Sequence, residues 1–173
     1  MDVAEMTSIL VLITLLSVAV IQDMRSMKVS NRLILVGICA AIPLRIWSQG
    51  VGGIVWILPN IIIPVIVLYL FYLAGIMGAA DIKLFSVIGS FVNLRELFYC
   101  IVVSFVVGAI FSLLKMVKNR NLYGRIFLGI CYISDVVHGD IKAYEQQEEE
   151  NIIHFSLAIL IGVIVVKMYE ILI

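Results

Sequence analysis

Asp23 and Asp81 each stand where a long apolar run meets a short polar turn, and the second lies in the string GAADIKLF with Gly78 three residues before it. An ionised carboxylate at the centre of a bilayer costs roughly 2.5 to 3.5 kcal/mol on insertion scales, so acids at membrane depth point to a task. The chemistry open to such a pair is hydrolysis of a peptide bond without a covalent intermediate. One carboxylate takes a proton from water while the other carboxyl gives one to the carbonyl oxygen under attack. Two like charges held close together raise one pKa above the other, so the pair shares a proton near neutral pH and supplies both base and acid. The two positions are 58 apart (81 minus 23), so the end of the first apolar run must pack against the turn after the third.

The elements that must hold them are membrane helices. Of the 173 residues 63% are apolar and the mean hydropathy is +1.15, far above the roughly 45 to 50% apolar usage of soluble domains. The expected architecture is all-α: a polytopic bundle of about six transmembrane helices in the lipid bilayer, forming one domain over residues 1–173. With 12 basic and 12 acidic side chains the formal net charge is zero, which gives no reason to expect nucleic-acid binding. The apolar runs extend over Thr7–Gln22, Leu33–Trp47, Ile54–Met77, Ile82–Val92, Leu97–Val117 and Ile152–Ile173. The fourth falls short of about 17 residues and reads either as a span or as a short helix shielded by its neighbours.

Charge placement orients the bundle. With six alternating spans, Arg25, Lys28, Arg32, Lys83, Lys115, Lys118, Arg120, Arg125 and Lys142 fall on one side and Arg45, Arg95 and Lys167 on the other. The positive-inside rule then places the N-terminus outside and both aspartates at the cytoplasmic face of the cell membrane. The acidic start MDVAEM argues against a cleavable signal peptide, so the first run reads as a retained span. Between the fifth and sixth runs, Ile126–Val137 is apolar enough for an interfacial helix or for packing under the bundle, whereas Glu148, Glu149 and Glu150 read as a solvated segment.

Metal chemistry is not expected. Cys39, Cys100 and Cys131 form no CxxC pair, and His138 and His154 have no further ligand at suitable spacing. No cofactor is implied. Lys83, two positions after Asp81, points away from the acid on a helix, where it either snorkels to anionic headgroups or meets substrate. Asn31 is a candidate cap for the second helix or an orienter of the loop before it. HGDIK at His138–Lys142 repeats part of the Gly-Asp-x-Lys text, but it lacks the first Gly and runs into QQEEE, so Asp140 is left outside the site.

Three strings resemble the type IV prepilin peptidase family of membrane aspartic proteases. In DMRSMKVSN, Asp23 precedes Val29, Ser30 and Asn31, similar to that family's Asp, short basic turn and Ile-Pro-Asn, with Ser30 in place of Pro. In GAADIK, Gly78, Asp81 and Lys83 match Gly-x-Gly-Asp-x-Lys, with Ala80 in place of the second Gly. IIHFSLAILIG looks like the closing Phe-x-Pro segment, with Leu157 in place of Pro. An Ala where the chain takes a left-handed conformation costs roughly 1 to 2 kcal/mol, so Ala80 is the departure that bears on catalytic geometry.

The resemblance implies that Asp23 and Asp81 are the catalytic pair, with Gly78, Lys83 and Asn31 as motif support. It also implies prepilin-like precursors (pilin, pseudopilin or preflagellin) as substrates, cut at the cytoplasmic membrane face. Many members carry a further domain with paired CxxC motifs that methylates the new N-terminus. This chain has neither those motifs nor that length, so it is similar to the short, peptidase-only members. A small ion-coupled carrier and a catalytically inactive assembly subunit are the alternatives from other classes. The first calls for acids or broken helices nearer mid-span; the second tolerates Asn at either aspartate.

Overall fold

A computed structural model describes residues 3–50, 52–74, 77–118 and 155–172. The described residues form six helices: α1 (Val3–Ser26), α2 (Asn31–Gln49), α3 (Gly52–Leu73), α4 (Ala79–Phe91), α5 (Leu94–Lys118) and α6 (Phe155–Leu172). All but α4 are long and apolar enough to cross a membrane. The 13 residues of α4 rise only about 20 Å at 1.5 Å per residue, short of a hydrocarbon core of about 30 Å. The fourth run is thus the short, shielded helix, which carries the chain from the aspartate end towards the Arg45 end, and the other five are the candidate spans by length and composition.

The chain divides into two compact units, Met1–Val107 with His154–Ile173, and Gly108–Ile153. The described part of the second is the later half of α5. The Ile126–Val137 stretch, Glu148 to Glu150, Cys131, His138, Asp140, Lys142 and His154 lie outside the described residues.

In the first unit α4 is the centre. Ile82 and every residue from Leu84 to Ser90 are buried, and α3, α2, α1 and α6 all pack on it, α3 most extensively. The outer helices show the opposite pattern: Val55, Trp56, Leu58, Ile66, Leu70 and Leu73 of α3 are exposed. This is expected where lipid is the solvent, because exposed apolar side chains cost nothing there and helices associate through close packing of small residues. Gly37 accordingly admits Val87, and Gly162 lies against Ser104. Hydroxyls within the spans bond back to their own helix, as Ser8 to the Ala4 carbonyl and Ser17 to the Ile13 carbonyl, both at 2.8 Å.

The end of α4 remote from the aspartates is held by a buried cation. Arg45, read from sequence simply as a basic residue at a span end, is 3% exposed and turned inward. It donates to the Ser90 carbonyl (3.3 Å), the Val92 carbonyl and Asn93 Oδ1 (3.0 Å), where α4 runs out of helical partners for its carbonyls. Asn60 adds a bond to the Val92 carbonyl (3.0 Å), while Lys167 pairs with Glu96 and Glu170, both at 2.7 Å. Arg45, Asn93, Glu96, Lys167 and Glu170 border a cavity of about 500 Å³. Replacing Arg45 with Met removes a counter-charge for the negative end of α4 and takes the Arg45 donor from the Ser90 carbonyl, while the Val92 carbonyl keeps Asn60. A loss of about 2 kcal/mol is expected, read as a lower unfolding midpoint in detergent.

Candidate active site

At the other end of α4 three elements converge. α1 brings Asp23 in its last turn, the first turn of α4 brings Asp81, and the first turn of α6 brings Ser156. α1 stops because Met27 takes a left-handed conformation (φ 52°), with its N–H still bonded to the Asp23 carbonyl at 2.8 Å. The loop then turns back into α2 through Ser30, whose N–H donates to Gln22 Oε1 (3.1 Å).

Ser30 is the N-cap of α2: its side chain accepts the Arg32 N–H, and its φ of −65° is the value a proline ring imposes. The serine thus fits the backbone that Pro would take, and adds a cap and a donor that Pro lacks. This corrects one expected role for Asn31. Asn31 is the first helical residue rather than the cap, and its Oδ1 accepts from Lys83 Nζ at 2.8 Å, tying the start of α2 to α4. Lys83 is exposed, as its spacing from Asp81 predicts.

Gly78 caps α4 in an extended conformation (φ −78°, ψ 150°), and the Asp81 side chain folds back to accept the Gly78 N–H at 3.3 Å. A Cβ on Gly78 would lie 3.3 Å from Asp81 Oδ2. What this glycine provides is room for the carboxylate rather than a special φ. Ala80 lies within α4, and the non-glycine residue with positive φ among those described is Met27. The strain expected of Ala in place of Gly therefore does not arise.

Asp23 and Asp81 are both half-buried, and the Asp23 charge reaches Asp81. Burial first, and then the Asp23 carboxylate, push the Asp81 carboxyl up to about 6 against the lowering effect of the Gly78 N–H. Beside the pair, a cavity of about 700 Å³ runs between the α1–α2 loop and the start of α4, lined by Gln22, Ser26 to Asn31, Gly78 to Ala80 and Lys83. Among the described residues no three His, Cys, Asp or Glu side chains converge to hold a metal.

Ser156 was not singled out from sequence. It is 1% exposed and donates to Asp23 Oδ2 at 2.6 Å. Phe155 beside it packs on Phe105 at 5.5 Å between ring centroids, and Phe105 in turn on Phe71. The available signal was a hydroxyl at the start of the last run, which alternation puts on the same side as Asp23.

The family profile described as the type IV leader peptidase family matches residues 10–113, which include both aspartates, Asn31, Gly78 and Lys83. The chain belongs to the type IV leader peptidase family. No curated protein and no solved structure matches it. Membership makes the chain a peptidase-family protein, and its long apolar helices make it a multi-pass membrane protein.

Proposed function

We propose that this leader peptidase-family protein is an aspartic endopeptidase that removes the leader from prepilin-like precursors at the cytoplasmic face of the cell membrane, within one domain formed by residues 1–173. The observation that carries the reading is the approach of Asp23 and Asp81 at one end of the bundle, close enough for one charge to act on the other. The carrier alternative loses ground, because the acids lie at helix ends. The substrate fits this location. A precursor whose apolar helix follows a short basic leader lies in the membrane beside the bundle, with the extended leader entering between α1 and α4.

In the reaction one carboxylate accepts a proton from water as the oxygen attacks the scissile carbonyl. The other carboxyl protonates the carbonyl oxygen, and collapse of the tetrahedral intermediate passes a proton to the leaving amine. The excess of Lys and Arg that alternation of the six apolar runs assigns to the side of Asp23 and Asp81 supports a cytoplasmic orientation.

The test is co-expression with candidate precursors, following the leader by gel mobility and N-terminal sequencing. Cleavage at the boundary between leader and apolar helix is the expected result. One pH dependence follows. The protonated form of Asp81 predominates below about 6, so kcat/KM is expected to fall as pH rises through that value, since the acid is then lost. A rate that climbs steadily from pH 5 to pH 8 would count against a shared proton.

A further inference from the structure

We propose that Ser156 is the positioning residue of the aspartate pair: its buried hydroxyl, donated to Asp23, reserves that carboxylate as the proton acceptor and leaves the shared proton on Asp81. This rests on the catalytic reading of the pair given above. Serines in this bundle usually satisfy their hydroxyls on their own helix, as Ser8, Ser17, Ser86 and Ser104 do with the carbonyl four residues earlier. Ser156 instead reaches from α6 to α1 and closes a 2.6 Å bond to Asp23 Oδ2 from a site 1% exposed.

A hydroxyl has one proton to give. Donated to a carboxylate, it stabilises the charged form, and burial strengthens the effect because water does not compete. Asp81 has a donor too, the Gly78 N–H, but at 3.3 Å. The shorter bond from the charge-stabilising partner belongs to Asp23, so when the two acids share one proton it resides on Asp81. Asp81 then gives its proton to the scissile carbonyl oxygen and is the group to be reprotonated before the next turnover.

The alternative is that Ser156 is a small residue that merely lets α6 approach α1. Ser156→Ala separates the two, because it keeps the volume nearly unchanged and deletes only the donor. With rates normalised to folded protein in the membrane, Ser156→Ala is expected to lower kcat roughly 10- to 100-fold while KM changes by less than about twofold. Ser156→Thr, which keeps the hydroxyl, should recover most of that loss. A kcat for Ser156→Ala at the wild-type level, or a loss explained wholly by less folded protein, would overturn the proposal.

A second measurement does not need a substrate. Infrared spectra of the purified protein near pH 5 are expected to show a protonated carboxyl band that Asp81→Asn removes and Asp23→Asn leaves. In Ser156→Ala, part of that band should move to a second position as Asp23 takes a share of the proton. Loss of the band in Asp23→Asn alone would refute the assignment. If wild-type protein cut no precursor, the proposed function would fail while the spectra still decided who holds the proton.

Discussion

Asp23→Asn and Asp81→Asn are each expected to abolish measurable leader removal, a loss of roughly a hundredfold to ten-thousandfold for deleting a general acid or base, while the protein remains in the membrane at wild-type level. Asparagine keeps the size of aspartate and can still accept the Gly78 N–H that Asp81 accepts at 3.3 Å, so the capping role of Asp81 survives the change and the proton transfer does not. Stability should move the other way from activity. Because the folded protein raises Asp81 from its ordinary value near 3.8 to about 6, it holds that proton more tightly than the unfolded chain does. Stability is therefore fully present below about pH 4 and declines as pH rises through about 6. Asp81→Asn lacks this group, and at pH 8 its unfolding midpoint in detergent is expected to equal or exceed that of wild type. A clear drop at that pH would mean that the Asp81 carboxylate stabilises the fold, against the burial that raises it. Processing that persists in either variant would exclude the pair as the catalytic centre.

How far the sequence could be read differs from element to element for physical reasons. Apolar runs located every helix among the described residues, since the bilayer imposes both length and composition. Their ends were less legible: α1 runs from Val3 to Ser26 and so includes Glu5, Asp23 and Arg25, because a helix crossing into the headgroup region need not stop where its apolar stretch does. α4 gained Ala79 and Ala80 at its start because Asp81 can reach back to an unpaired N–H there, a local rule that an apolar-run reading overlooks. The aspartates stood out because charge is rare beside apolar runs. Ser156 and Arg45 did not. A serine in a span has a default partner on its own helix, and an arginine at a span end has a default in the headgroups. Only the docking of α6 on α1, and of α2 on the end of α4, turns them inward.

The largest effect on stability is expected at Gly89, far from the chemistry. Pro64 carries no N–H, so it cannot bond the Asn60 carbonyl one turn earlier in α3. That freed carbonyl points at Gly89 of α4, where an added Cβ would overlap the Asn60 oxygen and lie 3.0 Å from its carbonyl carbon, with Leu97 Cδ2 at 3.2 Å. Both obstructing atoms of Asn60 are backbone, and the Asn60 side chain is itself anchored to the Val92 carbonyl at 3.0 Å. The strain therefore has no flexible side chain to absorb it, and α4 must move off α3. Gly89→Ala is expected to cost about 3 kcal/mol, the upper part of the usual range for overpacking, even though alanine is the better helix former by about 1 kcal/mol. The readout is the unfolding midpoint in detergent together with the amount of protein in the membrane. Because α4 is a single rigid element with Arg45 at one end and Asp81 at the other, displacement at Gly89 carries through to the pair. Any Gly89→Ala protein that folds should therefore lose leader cleavage as well as stability. An alanine variant as stable as wild type would mean that α3 and α4 do not meet at this glycine.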